Sequence, residues 1–426
     1  MECDILVVGA GIMGVTTAYY LKKRDPSKNI LIIDKYAGPG QGNSAKSEGG
    51  YRNMFTSDTN YLLADTSLDF FLHMQEDMGY DIKMDPIGYM WLFSEDQFTS
   101  LKGAIDHMIN RGIEVVVYDR SEIERMIPTL VTDFGEDEEA EILGLKNVDY
   151  GVFGKKCGSL DADALVRAYE AEFIKLGGKV QYNTEVKKIH VKPEMELGIP
   201  GEPFVWQKKV ITGVDTNKGE IKAGTTVIAC GVWASELLDP IGLDSYMRPK
   251  KRQLFAFKDA KIEPVMKTTG LNSEGALPLT ILPIAGILLK SELTEGSIWL
   301  GCADWIPRKF ELEEDPQAEE DYYTNNVYHA LVMYFPHFED VRPMNSWAGQ
   351  YAINSFDETP VIYKEEGLIY VGAGSGSGIM KGDALGRIAA SLYFGEEEAE
   401  LYGGRKFRVA DLGVHHRKIE PEKFVI

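Results

Sequence analysis

Residues 4–14 read DILVVGAGIMG, and a second apolar run, 30–33, ends at Asp34, twenty residues after Gly14. An apolar strand that breaks into GxGxxG at the head of an amphipathic helix (12–24) has few ways to fold. Gly9 permits the tight strand-to-helix turn, and Gly11 lets the backbone come close to a pyrophosphate. Gly14 lets the helix pack on the strand, and Asp34 can accept hydrogen bonds from a ribose. The helix N-terminus adds free N–H groups and partial positive charge for phosphates. The pattern predicts a βαβ dinucleotide unit without saying which dinucleotide.

A chain of 426 residues is long for one core, so two domains are expected. Its formal charge of −21 argues against nucleic acid or an anionic membrane surface as a partner. No apolar run reaches the roughly 18 residues of a membrane span, and the N-terminus does not read as a signal peptide, although peripheral membrane contact stays open. Cys3, Cys157, Cys230 and Cys302 are scattered and form no CxxC, which fits a reducing interior; a cytoplasmic protein is expected. No HxxxH or HExxH spacing points to a metal, and no GxSxG elbow points to a serine hydrolase. The acidic runs 136–141, 311–321 and 396–400 read as solvated loops or helix faces.

Along the chain, helices are expected over 60–78, 96–111, 162–176, 318–334 and 381–392. Strands are expected over 88–93, 115–118, 179–182, 186–191, 225–231 and 368–372, with antiparallel alternation over 249–299. Nucleotide-type segments recur at three places, with sheet-and-helix insertions between them. The expected architecture is α/β: a discontinuous Rossmann-like domain from 1–84, 148–240 and 345–410, and a substrate-binding domain on an antiparallel sheet from 85–147 and 241–344. Residues 411–426 form a C-terminal tail; its end, KFVI at 423–426, is apolar enough to dock but is expected to fray. The ligand then belongs in the cleft between lobes.

A second strand–glycine–helix unit, LIYVGAGSGSG at 368–378, lies far downstream. A nicotinamide enzyme needs only one such half, whereas FAD, extended across the lobe, touches both. Backbone N–H groups of 372–381 and the helix that follows would then meet the flavin or ribityl end, where negative charge builds on reduction.

The chain resembles the D-amino-acid-oxidase/sarcosine-oxidase superfamily of FAD-dependent amine oxidoreductases. The matching segments are DILVVGAGIMG (4–14), ID (33–34), NSAKSEGGYR (43–52), SLDADALV (159–166), TEVKKI (184–189), VIACGVWAS (227–235) and GSGSGIMKGDALGRIAASL (374–392). LGIPGEPFVWQ (197–207), RPKKRQ (248–253), SGSGIMK (375–381) and LYGGR (401–405) resemble the archaeal dye-linked L-proline dehydrogenases. The resemblance implies FAD contacts from Gly9, Gly11, Ile12, Met13 and Gly14 in the fingerprint, and from Asp34 and Lys35 after the second strand. It implies further contacts from Asn43, Ser44, Ser47 and Gly49, from Val186, from Gly231 and Trp233, and from Gly376, Gly378, Ile379, Met380 and Lys381.

It also implies a reaction that removes two electrons and a proton from a C–N bond. Arg52 stands at the spacing of the family's carboxylate-binding arginine, and a guanidinium can hold a carboxylate by two parallel bonds; pairing with a local acid such as Asp58 is the alternative. Lys381 resembles the lysine that flanks flavin and substrate, although GSGSGIMK also aligns with Met380 in that place. Tyr351 is placed near the flavin or the substrate ring, with a core tyrosine as the alternative. Tyr89 and Trp91 alternate on one strand and line an apolar pocket or a core. The covalent flavin cysteine of sarcosine oxidases has no counterpart in 347–352, so non-covalent FAD is expected. The pocket histidine of those oxidases is also missing from the apolar segment 278–290, which suits a hydrocarbon ring.

The implied activity is oxidation of a small secondary amino acid, L-proline first, to 1-pyrroline-5-carboxylate, with a quinone or dye as electron acceptor. Sarcosine or glycine oxidation and 2-hydroxy-acid oxidation remain as alternatives. So do a non-catalytic FAD-binding electron-transfer subunit and an NAD(P) enzyme using the N-terminal motif alone.

Overall fold

The computed structural model describes residues 1–284, 286–304, 306–319 and 321–424. Ala285 of the apolar segment, Glu320 of the expected helix 318–334, and Val425 and Ile426 of the tail lie outside the described residues. The protein is an α/β molecule built on two large sheets. The first runs Val361–Glu365, Leu368–Gly372, Gly219–Ile228, Glu2–Val8, Ile30–Ile33, Lys179–Gln181, and Gly219–Ile228 also carries the antiparallel pair Lys209–Thr216 and Val186–Pro193. The N-terminal strand sits between two parallel neighbours, Ile30–Ile33 and Gly219–Ile228. Both its faces are covered, which is why 5–8 are apolar without alternation.

Three helices, Ile12–Arg24, Ala162–Lys175 and Gly382–Phe394, pack together around one core with the parallel strands. They are tied by a buried carboxylate. Asp383 accepts hydrogen bonds from Tyr20 Oη, from Tyr169 Oη at 2.8 Å and from Arg387 Nε at 2.7 Å, so three distant stretches of chain converge on one group. Burial raises the Asp383 carboxyl above the usual carboxylate range, and the Arg387 guanidinium and the two tyrosine hydroxyls oppose that shift.

The second sheet runs Asn345–Asn354, Met247–Phe257, Ser297–Cys302, Ile287–Glu292, Leu279–Ile281, Tyr89–Phe93, Tyr150–Gly154, Val115–Asp119. Neighbours are antiparallel except for the parallel contact of Leu279–Ile281 with Tyr89–Phe93. The period of two is plain in Tyr89–Phe93. Met90 and Leu92 enter the core beneath Tyr334 and Phe338, while Tyr89, Trp91 and Phe93 enter a separate cluster on the opposite side. That second face looks toward the site.

Three sequence expectations change. Tyr150–Gly154 and Asn345–Asn354, assigned by sequence to the dinucleotide segments 148–240 and 345–410, are strands of the second sheet. Their pairing partners lie between about 30 and 110 residues upstream, so no pattern within either strand reveals which sheet it joins. The expected helix 318–334 begins only at Tyr323, with a π turn to Val327 before the helix Tyr328–Tyr334. Residue Glu319 is held instead by Arg308 and Gln253, as part of a strap that crosses between the sheets. The expected frayed tail is docked as far as Phe424, which is buried among Trp91, Phe93 and Met108. No described helix is long and apolar enough to cross a membrane.

Candidate functional site

A cavity of about 340 Å³ is lined by residues of both sheets, by the N-terminal fingerprint, and by Arg52 and Lys381. At the fingerprint, Gly9 adopts a left-handed φ of +109°, and a Cβ there would meet the Ala229 carbonyl oxygen at 2.6 Å. A Cβ on Gly14 would lie 1.8 Å from the Gly9 carbonyl oxygen, so the helix rests directly on the turn. The helix has no side-chain cap at Gly11, and Ile12 N donates to Ser44 Oγ at 3.2 Å. An uncapped helix start facing a cavity leaves donors for phosphate. Asp34 braces the turn, accepting from Ala10 N at 2.7 Å and Tyr36 N at 2.8 Å, and a carboxylate keeps further lone pairs for a ribose.

The outer end is closed by the acidic strap. Lys35 lies 4.2 Å from the Trp233 ring, and Glu314 both pairs with Lys35 and accepts from Trp233 Nε1 at 2.9 Å. In the middle, Asn43 Oδ1 accepts from Gln350 N at 2.8 Å, and Gly49 N donates to Ser47 Oγ at 3.1 Å. The second glycine loop comes back onto this path. A Cβ on Gly376, where φ is +76°, would strike the Tyr351 ring at 2.7 Å, and one on Gly378 would approach Met13 Cε at 3.6 Å. The two glycine loops, more than 350 residues apart in sequence, therefore meet at one cavity.

The inner end holds the cations. The short strand Gly50–Arg52 pairs with Cys157–Ser159 and carries Arg52 into the interior, 6% exposed. Its Nη1 donates to Met54 O and its Nη2 to Phe424 O, both at 2.6 Å, and its guanidinium lies 4.1 Å from the Phe55 ring. The alternative partner Asp58 is taken by Arg111 at 2.7 Å. Lys381, 1% exposed, donates to Asn60 Oδ1 at 2.7 Å and Ser377 Oγ at 2.6 Å, and lies 4.8 Å from the same Phe55 ring. Burial pushes the Lys381 amine down to about 7, with Glu422 opposing and Arg52 adding to the shift. Enclosure pushes the Glu48 carboxyl up to about 7 against the pull of Lys290, and burial raises the Tyr351 and Tyr89 hydroxyls well above the tyrosine range.

Of the residues expected from sequence, Gly9, Gly11, Ile12, Met13, Asp34 and Lys35 line the cavity, as do Asn43, Ser44, Ser47, Val186, Gly231 and Trp233. Gly376, Gly378, Ile379, Met380, Lys381, Arg52 and Tyr351 line it too. Met380 and Lys381 are both in the wall, so the two registers of that loop are not exclusive. Two residues stand back. Gly14 lies in the first turn of the helix Ile12–Arg24, against the Gly9 carbonyl, and Gly49, with φ +72°, is a turn whose Cβ would hit the Leu160 carbonyl at 2.1 Å. Tyr89 reaches the cavity, whereas Trp91 stacks between Tyr89 and Phe93 behind it.

Sequence reasoning missed Glu48, Phe55, Asn60, Glu422 and Phe424 in the wall. Phe55 and Asn60 had a signal: Ser57 caps the helix Asp58–Glu76 through Asn60 N, and that helix start follows Arg52 directly. The residues fit an extended dinucleotide. A turn with no room for a Cβ and an uncapped helix lie on one side, and a second glycine backbone lies flat on an aromatic ring on the other.

A protein-family model described as FAD dependent oxidoreductase (DAO) matches residues 4–392. Curated relatives include FAD-dependent oxidoreductase domain-containing protein 1 of Xenopus laevis, 21% identical over 92% of this chain and 79% of that protein. The sarcosine oxidase subunit beta of Rhodobacter capsulatus is 23% identical over 92% of this chain and 85% of that protein. Among solved structures, L-proline dehydrogenase from P. horikoshii superimposes with a TM-score of 0.73 at 22% identity, covering 93% of this chain and 94% of that one.

Proposed function

The chain belongs to the family of FAD-dependent oxidoreductases (DAO), and on that footing we propose that it oxidises the C–N bond of a small secondary amino acid, L-proline first, to the cyclic imine 1-pyrroline-5-carboxylate. The observation that carries this reading is the placement of Arg52 and Lys381, two buried basic side chains 4.1 and 4.8 Å from the same Phe55 ring, in the wall of the cavity that the fingerprint also lines. FAD supplies the two-electron acceptor; orientation, proton handling and exclusion of water fall to the chain. Arg52 holds the substrate carboxylate. Phe55, Tyr89 and Leu288 present apolar surface to a hydrocarbon ring and keep water from it. Lys381 Nζ, uncharged above pH about 7, takes the proton from the substrate ammonium so that the amine enters the reaction neutral.

FAD is held without a covalent bond. The strand Asn345–Asn354 carries no cysteine, and burial pushes the Cys230 thiol in the cavity wall up to about 12, away from the reactive thiolate. Electrons leave to a quinone or dye.

The test is anaerobic mixing of the FAD-loaded protein with a panel of L-proline, sarcosine, glycine and a 2-hydroxy acid. Bleaching of the flavin by L-proline at the lowest concentration is expected, and an unbleached spectrum with every amino acid overturns the proposal. The pH dependence follows from the sign of the shift. Lys381 is protonated below about 7, so flavin reduction at low substrate should rise through that pH and level off above it. Lys381→Met should flatten this limb; if the limb persists unchanged in the variant, another group is the base.

A further inference from the structure

The polypeptide returns to the site at its far end. Arg417 is clamped by Asp357 and by the Pro360 carbonyl, which fixes the route of the last residues. Beyond it, the Glu422 carboxylate accepts from Thr56 N at 2.9 Å, Thr56 Oγ1 at 2.7 Å and Ser57 N at 3.2 Å. Ser57 is the N-cap of the helix Asp58–Glu76, a place where the helix dipole favours a negative group. Two residues on, the Phe424 ring meets Trp91 edge-on at 5.1 Å and Phe93 at 5.8 Å, and is 1% exposed. Its carbonyl oxygen accepts from Arg52 Nη2 at 2.6 Å.

A second cavity, about 200 Å³, lies beyond Phe424, between Gln97, Leu101, Phe93 and the 281–284 turn. Among the described residues, Phe424 is the one shared by the walls of both cavities. It therefore stands as a partition, with the compartment of Arg52 and Lys381 on one side and an outer cleft on the other. Residues 421–424 belong to no strand or helix, so their docking rests on the Glu422 clamp, the Phe424 ring and the Arg52 bond.

We propose that residues 422–424 are the door of the substrate compartment, and that Phe424 sets how large an amino acid passes from the outer cleft to the flavin. The inference rests on the reading of that compartment as an amino-acid site. Its latch is chemically suited to the task. A peptide carbonyl on Arg52 is a neutral acceptor that takes one N–H, whereas an arriving carboxylate brings a full opposite charge and can take two parallel N–H bonds, so the substrate displaces the latch that bars it. Glu422, bound to Thr56 and to the helix start at Ser57, is the fixed side on which the door turns. With Phe424 in place, the space beside Arg52 admits a compact substrate; with the ring removed, it opens into the outer cleft.

The experiment uses FAD-loaded protein and the variants Phe424→Ala, Phe424→Leu and Glu422→Gln, with flavin content and melting temperature matched first. One arm measures acrylamide quenching of the bound flavin without substrate. The other measures anaerobic flavin reduction by glycine, sarcosine, L-proline, L-leucine and L-phenylalanine. Phe424→Ala should raise the quenching constant severalfold and shift the L-phenylalanine to L-proline rate ratio upward by about tenfold or more, as loss of a docked state requires. Phe424→Leu should change little, and Glu422→Gln should fall between. Variants with full flavin content whose quenching and selectivity match the wild type would overturn the door. If no amino acid bleaches the wild-type flavin, the amino-acid reading fails, and the quenching arm alone decides whether residues 422–424 gate the compartment.

Discussion

Arg52→Ala should weaken amino-acid binding by about 10²- to 10⁴-fold while FAD stays bound. The magnitude follows from two charge-assisted bonds to a carboxylate, each contributing roughly 1.5–3 kcal/mol, with a factor of ten for every 1.4 kcal/mol or so. Anaerobic titration of flavin bleaching against substrate reads the effect, and flavin content per chain is the control. Arg52→Lys should recover only part of the loss, because an ammonium is a point donor and cannot match both carboxylate oxygens in one plane. The alanine variant should also melt earlier. It leaves the Met54 and Phe424 carbonyls without their guanidinium donor, at about 1–3 kcal/mol for each buried acceptor left unmade. Substrate affinity within threefold of wild type would remove Arg52 from the anchor role.

The second large effect is expected at Gly14. An alanine methyl there would sit 1.8 Å from the Gly9 carbonyl oxygen, a contact between two backbone segments that no side-chain rotation relieves. The helix must lift from the turn, and the phosphate cradle goes with it. Gly14→Ala should be recovered with less than about a tenth of the wild-type flavin, because overpacking that typically costs 1–3 kcal/mol here falls on the cofactor site itself. Flavin absorbance per protein after gel filtration measures it. Gly103→Ala is the matched control: that glycine lies in the helix Glu95–Asn110 with nothing within 4 Å of the added methyl, so it should hold full flavin and gain up to about 1 kcal/mol of helix stability. Equal flavin content in both variants would show that the fingerprint does not position the cofactor.

What was legible in the sequence was local. The fingerprint, Asp34 and the second glycine loop announce themselves because a turn, a helix start and a buried strand each impose residue types within a dozen positions. The strand Tyr89–Phe93 was readable for the same reason, and its alternation even assigned Tyr89 and Trp91 to one face. Membership of a sheet was not readable. Asn345–Asn354 pairs with Met247–Phe257, and nothing within either strand states that choice. Glu314 looked like one more solvated acid until the strap folded it onto Lys35 and Trp233. Phe424 was hidden for a similar reason, since the groove that receives it is assembled from Trp91, Phe93 and Met108, more than 300 residues upstream.

The strand order also sets a timetable for synthesis. The segment Glu2–Val8 leaves the ribosome early, yet one of its two neighbours, Gly219–Ile228, follows some two hundred residues later. The helix Ile12–Arg24 waits longer still, for Gly382–Phe394 and the Asp383 hub. At about 5–20 residues per second, the interval between the strand Glu2–Val8 and Gly219–Ile228 is on the order of 10–40 seconds, during which one edge of the strand lacks its partner. The fingerprint is translated about 370 residues ahead of the helix Gly382–Phe394 that shares its core, so its cradle is complete only once that helix is in place, and cofactor capture belongs to a late stage of folding.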